Sequence, residues 1–276
     1  KIPDVDTFQF FGFEDEYKLD KYLAEQDAVV HCAARAHVMN EESADPLKVF
    51  RKINVDATLA LAKAAARVGV KRFVFISSVK VNGEVTESTS FFQADDVAQP
   101  EDAYAVSKFE AEAGLKVIAK ETGMEIVIIR PPLIYGPGVK GNFSRLVRMV
   151  KLGLPLPFAS IDNQRSLVSI ENVVSLIEVC LHHPRAANEI FLVSDGKDLS
   201  TTELLKVISV ALDQNIRLFR VNLPLVKFVA RIFGMQALVS RLFGSLRVDI
   251  YKAEELLGWR PPISVKDGLY NCLFKD

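Results

Sequence analysis

A tyrosine and a lysine stand four residues apart, Tyr104 and Lys108 in "EDAYAVSK", within a stretch of helix-forming composition. On a helix, positions i and i+4 share a face, so the phenol and the ammonium can address one ligand. A free phenol titrates near pH 10. An ammonium held about 5 Å away stabilises the phenolate by roughly 3 kcal/mol at an effective dielectric near 20, which lowers the phenol by about two pKa units. Such a pair can take a proton from a hydroxyl at neutral pH. The spacing also arises by chance on solvated helix faces. "FISSVKVNG" makes it more specific, because Ser77 and Ser78 end a buried apolar strand. A hydroxyl there can hold a substrate oxygen while the phenol moves its proton. A strand-ending turn is the plain alternative for these serines, and the two segments together are more telling than either.

The elements that must position these residues alternate. "DAVVHCAA" (27–34) reads as a fully buried strand running into small residues, and 46–68 carries apolar residues at helical spacing between Pro46 and Gly69. "KRFVFISS" (71–78) is strand-like, 82–103 a polar loop, Ala103 to Glu121 a helix stopped by Gly123, and "MEIVIIR" (124–130) another buried strand, left by the loop "PPLIYGPGVKGN". Near-continuous apolar strands at βαβ spacing predict an α/β fold with a doubly wound, Rossmann-like parallel sheet, both faces covered. Ligands of such sheets bind at the carboxyl ends of the strands, here Ala33–Arg35, Ser77–Gly83 and Arg130–Gly138. Beyond 142 the pattern changes: a helix (142–153), the segment "GLPLPF", a short strand and helix in "RSLVSIENVVSLIEVCLHH", a strand in "NEIFLVSDG", and a capping box at Ser200 and Glu203. The expected division is 1–135 plus about 165–195 for the sheet domain, and about 136–164 plus 196–276 for a smaller C-terminal α/β region that binds substrate.

The chain has 276 residues, enough for one large or two modest domains, with 49% hydrophobic and 25% charged residues and a net charge of −1. That balance gives no reason to expect nucleic acid or an acidic membrane as partner. Cys32, Cys180 and Cys272 are far apart, so neither a metal site nor a disulfide framework is expected, and a reducing compartment is. The start carries no charged-then-apolar leader. Val221–Phe243 is the most apolar stretch, but Lys227, Arg231 and Arg241 interrupt it, which predicts packing helices rather than a membrane span. His31 lies in an apolar strand and reads as packing. His37, just past a strand end, is a candidate substrate contact, as is Lys80 in the Ser78 loop. His182 and His183 read as helix-end residues, Trp259 as a packing anchor and Asp249 as a helix cap.

"HCAA" (31–34), "NVDAT" (54–58), "SSVKVNG" (77–83), "YAVSK" (104–108), "RPPLIYGPG" (130–138) and "KAEELLGW" (252–259) together resemble the extended short-chain dehydrogenase/reductase family, most closely its nucleotide-sugar epimerases and 4-keto reductases. The resemblance covers nearly the whole chain in the family's order. It implies a catalytic Ser78, Tyr104 and Lys108, with Lys108 also on the nicotinamide ribose. It implies NAD as cofactor, NADP remaining open, with Ala33, Ala34, Arg35, Ser77 and Pro131 around it. A UDP-sugar substrate is implied, with Asn142 and Arg165 near its diphosphate, and Asn54 in a structural role. A cytoplasmic homodimer formed through helices near 46–68 and 103–121 follows from the same likeness. The chain departs from the family at Asn82, where a tyrosine usually stands, and at Leu133, where sugar epimerases often carry a substrate-binding asparagine. A 4-epimerase of UDP-hexoses is the leading expectation, a 4-keto-sugar reductase the second, and a catalytically silent dinucleotide-binding protein the third.

A dinucleotide-binding sheet normally opens with strand, glycine-rich turn and helix. Nothing before Asp27 fits, and Gly12 is the one glycine there. The literal G-x-G-x-x-G of Gly136, Gly138 and Gly141 is rejected as the fingerprint, because Pro137 removes a backbone donor and no acidic partner follows a second strand. The expectation is that roughly 35–50 residues of the natural chain precede this sequence, and that the 276-residue piece alone binds cofactor poorly.

Overall fold

The computed structural model describes residues 16–36, 45–87, 89–159, 161–222, 231–232 and 242–274. Its centre is a four-stranded parallel sheet of β1 (Ala28–His31), β2 (Arg72–Ile76), β3 (Glu125–Arg130) and β6 (Ile190–Leu192), in the order β1–β2–β3–β6. Register pairs Phe73 with Val29 and Ile126, which brings the carboxyl ends of β1, β2 and β3 to one edge.

Alternation along the strands explains the two covered faces. Phe73, Phe75, Ile126 and Ile128 pack on one side against α1 (Glu16–Leu23), α3 (Ala57–Arg67) and α4 (Ala103–Thr122). Val74, Val127 and Ile129 pack on the other against α6 (Ile170–His182) and α8 (Tyr251–Leu257), where Trp259 is buried as an anchor. β1 departs from the fully buried strand expected. It has one strand neighbour among the described residues, and Val30 is 38% exposed.

Asp102 caps α4 by accepting from the Ala105 N–H at 2.7 Å, and Gly123 ends it at φ 78°. The expected helix over 46–68 divides in the structure. α2 (Pro46–Arg51), capped by Asp45, passes through a π-turn at Lys52–Asp56 into α3.

A second core lies beyond β3. "RPPLIYG", expected as loop, contains β4 (Leu133–Tyr135), which pairs in parallel with β5 (Leu167–Ser169). The prolines signalled a turn more strongly than the short apolar triplet signalled a strand. Here Tyr135 of β4 packs with Phe143 and Leu146 of α5 (Asn142–Lys151), Leu205 of α7 (Thr201–Ala211) and Leu269 of α9 (Val265–Phe274). The Ser200–Glu203 capping box is present at α7, and Asp249 accepts from the Tyr251 N–H where α8 begins. Most of the Val221–Phe243 stretch lies outside the described residues, as does His37. No helix among the described residues is long and apolar enough to cross a membrane.

Candidate active site

β2 ends at Ile76, and the chain turns at Ser77 and Ser78 into a single 3-10 turn, Val79–Val81. Two backbone bonds fix the turn to β3: the Ser77 N–H donates to the Ile129 carbonyl at 2.7 Å, and the Val79 N–H to that of Pro131 at 3.0 Å. The Ser78 hydroxyl oxygen accepts from the Lys80 N–H at 3.2 Å, and the same hydroxyl favours the ionised form of the Tyr104 phenol. Tyr104 sits in the first turn of α4, its ring edge-on to Phe50 of α2 at 6.1 Å. These elements thus bring the serine and the tyrosine together at the carboxyl end of the sheet.

Lys108 follows one turn along the inward face of α4. It is 1% exposed, with Nζ 4.0 Å from the centroid of the Phe75 ring. Burial pushes the ammonium down to about 8, against the charge of Glu112 and Cys32, which hold it up. Tyr104 corrects the sequence expectation of an acidified phenol. Burial pushes it up to about 12, the Ser78 hydrogen bond opposes that rise, and the Asp102 carboxylate adds to it. Helical spacing alone does not reveal how far a phenol is withdrawn from water, and desolvation dominates here.

The remaining expected residues fall in two places. Ala33, Ala34 and Arg35 form the loop leaving β1, and Asn54 fixes that loop. Its Oδ1 accepts from the Arg35 N–H at 2.8 Å, while Nδ2 donates to the Arg35 carbonyl at 3.1 Å and to the Ser107 hydroxyl at 3.0 Å. The Arg35 guanidinium lies 5.8 Å from the Phe50 ring centroid. Pro131 is buried at the end of β3. Lys80 turns back within this end of the sheet, pairing with Glu84 and with the α4 cap Asp102. Asn142 and Arg165 belong to the second core. Asn142 opens α5 after Gly141 at φ 78°, and Arg165 donates to the Gly244 carbonyl at 3.1 Å. The "GPGVKG" glycines also lie there, between β4 and α5, where Gly136 faces Ile170 of α6.

His31 is buried and neutral. Its Nε2 is 2.9 Å from the Thr58 hydroxyl, its ring stacks on Phe75, and burial with the nearby Lys108 lowers it to about 4. Among the described residues no group of three or more His, Cys, Asp and Glu side chains is placed to hold a metal.

Sequence reasoning missed the carboxylate beneath this site. Glu112, 1% exposed, forms a two-pronged ion pair with Arg130, 3% exposed, at 2.9 and 2.6 Å, and also accepts from the Ser77 hydroxyl. Two signals were legible: Glu112 falls one turn beyond Lys108, and Arg130 is a lone charge ending the apolar run "EIVII".

A doubly wound parallel sheet with serine, tyrosine and lysine at its carboxyl edge is the architecture of a dinucleotide-dependent enzyme. Residues 1–194 match the model of the NAD dependent epimerase/dehydratase family, and the chain belongs to that family. It is 51% identical over 247 residues to a UDP-glucose 4-epimerase of Vibrio cholerae, covering 89% of this chain and 75% of that protein. A GDP-6-deoxy-D-mannose reductase of Pseudomonas aeruginosa is 29% identical over 252 residues, 88% of this chain and 78% of the relative. The fold superimposes on a UDP-glucose 4-epimerase of Thermotoga maritima solved with UDP-glucose, at a TM-score of 0.76 and 22% identity, over 99% of this chain and 86% of that one.

Proposed function

We propose that this enzyme interconverts UDP-hexoses at C4, as a UDP-glucose 4-epimerase does. The observation that carries this reading is 51% identity to such a relative across 89% of the chain, together with an intact Ser78, Tyr104 and Lys108.

The residues present fit the nicotinamide end of a dinucleotide. Small side chains at Ala33 and Ala34 leave the backbone open to close approach at the end of β1, and Lys108 presents a buried cation beneath the same edge. Ala33, Ala34, Arg35, Ser77, Pro131, Tyr104 and Lys108 would hold NAD. When bound, NAD supplies the hydride acceptor and donor and, oxidised, a second positive charge. The chain's own part is the proton. Tyr104 takes it from the sugar hydroxyl and returns it, Ser78 steadies the same oxygen, and Lys108 favours the phenolate. The buried phenol resists ionisation until positive charge lies beside it, so base strength is conferred on the assembled site.

In this reading residues 1–135 with about 165–195 carry the dinucleotide. The region of about 136–164 with 196–276 receives the sugar nucleotide, with Asn142 and Arg165 towards its diphosphate and Lys80 towards the sugar; His37, the other candidate sugar contact, lies outside the described residues. A cytoplasmic homodimer through the α2–α3 and α4 helices completes it.

Leu133, 38% exposed where sugar epimerases often carry asparagine, favours a sugar other than plain galactose, and reduction of a UDP-4-keto sugar is the second reading. Full-length protein given UDP-glucose and NAD should form the C4 epimer with no net change in cofactor absorbance. Stoichiometric loss of NAD(P)H with a 4-keto sugar, and no epimer from UDP-hexoses, would sink the epimerase reading in favour of the reductase.

A further inference from the structure

The Glu112–Arg130 pair has more partners than a strut needs. Glu112 is on α4, one turn beyond Lys108 and two beyond Tyr104. Its carboxylate accepts from the Ser77 hydroxyl, beside Ser78. Arg130 is the last residue of β3, beside Pro131, and its Nη1 also donates to the Asn82 side-chain oxygen at 3.1 Å. Asn82 in turn donates to the Gln93 carbonyl at 2.8 Å, which anchors the loop that follows the 3-10 turn. One buried ion pair therefore joins the helix that carries tyrosine and lysine to the strand end that carries serine, and to the strand beside it.

We propose that Glu112, Arg130 and the Ser77 hydroxyl form the positioning unit of the catalytic constellation, setting α4 against the ends of β2 and β3 so that Ser78 and Tyr104 share one substrate oxygen. The inference rests on the functional reading above. Asn82 belongs to the unit: it receives Arg130 where the family usually places a tyrosine, so this chain closes the network with an amide. The unit also holds a negative charge one turn from the Lys108 ammonium. Around Lys108 stand His31 and Cys32 from the end of β1, the Phe75 ring from β2, and Glu112 from α4 with Arg130 behind it. Of these, Glu112 is the carboxylate that favours the charged lysine.

Truncating one partner of a buried pair strands the other charge, so the variants are chosen to keep shape. Glu112→Gln is near-isosteric, and Ser77→Ala deletes one hydroxyl. In the full-length enzyme with a UDP-hexose, each should melt as a folded protein. Both should lower kcat by about tenfold or more, because small misplacements of reacting groups are costly, with KM changed less than about threefold. A readout independent of turnover is the Lys108 Cε resonance in 13C-lysine-labelled protein, assigned by its loss in Lys108→Arg. Its titration midpoint, expected near 8 in the parent, should move to lower pH in Glu112→Gln and stay in place in Ser77→Ala. If Glu112→Gln fails to fold, Ser77→Ala decides, with kcat read at saturating NAD so that a weakened cofactor contact does not count. Folded variants with parental kcat and an unmoved Lys108 midpoint would overturn the inference and leave the epimerase reading intact. If the parent turns over only a 4-keto sugar, the epimerase reading falls, and the same variants are compared on that substrate.

Discussion

Tyr104 is a phenol pushed up to about 12 by burial, with the Ser78 hydroxyl opposing the rise, and so fully protonated in the free site at neutral pH. Tyr104→Phe should lower kcat by about 10²–10⁴-fold, the span of a positioned acid–base group, with its melting temperature within a few degrees of the parent. A variant within threefold of parental turnover would remove Tyr104 from the chemistry and favour a silent dinucleotide-binding protein. Lys108 makes a second, thermodynamic prediction. Its folded value of about 8 lies below the ordinary 10.5, so the folded state disfavours the charged form. That cost is fully present below about pH 8 and gone above about pH 10.5. Its size is about 3 kcal/mol. Lys108→Met should therefore abolish turnover yet melt higher than the parent at pH 7, the gain fading as pH rises from 8 to 10.5. Equal melting temperatures across that range would show that the lysine is not desolvated as the structure has it.

At the scale of elements, Asn54 shows what a small irregularity achieves. A π-turn within an otherwise α-helical run rotates the following turns relative to the preceding ones, and such turns gather at functional sites. Here the π-turn Lys52–Asp56 carries Asn54, whose amide holds the loop after β1 and meets Ser107 of α4. Asn54→Leu should leave the Arg35 N–H and carbonyl without that partner and cost about 1–3 kcal/mol, read as an earlier urea midpoint with an unchanged slope. It should also raise KM for NAD, because the β1 loop is freed. An unaltered midpoint would mean that water replaces the amide at no cost. The helix over 46–68 was legible in the sequence, because its apolar period survives the π-turn, whereas the turn itself has no compositional mark. Likewise the strands flanking Ser78 and Arg130 declared themselves by apolar run, and the capping box by Ser200 and Glu203. β4 was hidden behind Pro131 and Pro132. The Tyr104–Lys108 spacing was visible in one dimension, but the raised phenol depends on how many atoms surround it, which only three-dimensional packing decides. For Glu112 and Arg130 the two charges were legible but not their meeting, which joins two strand ends and a helix and links residues 18 apart along the chain.

Among the described residues apolar side chains pack on both faces of the main sheet, and a further core surrounds β4 and β5; Asp195 ties the sheet's helix α6 to that further core. It follows β6, and its carboxylate accepts from the Tyr135 phenol at 2.6 Å, the Ser169 N–H at 2.8 Å and the Asn172 side chain at 2.7 Å. Tyr135 belongs to the second core, while Asn172 lies on α6, which packs on the sheet and reaches the Ile263 backbone ahead of α9. α9 approaches so closely that a Cβ on Gly268 would come within 2.6 Å of the Tyr135 oxygen and 3.0 Å of Ser169 Cβ. Burial raises the Asp195 carboxyl above its ordinary value, and the Tyr135, Ser169 and Asn172 donors oppose that rise. Tyr135→Phe removes one donor and should raise it further. A carboxyl raised in the folded state costs nothing where it is protonated in both states, and its cost grows as pH climbs through the unfolded and then the folded value. The melting deficit of Tyr135→Phe should therefore be largest near pH 7, about 1–3 kcal/mol for a lost buried hydrogen bond, and should shrink as pH falls through the variant's and then the parent's folded value, both above the ordinary 3.8. Gly268→Ala presses on the Tyr135 oxygen itself, so it should reproduce the same pH dependence. If both deficits are flat with pH, the junction is held by packing alone, and Asp195 does not tie it through its charge.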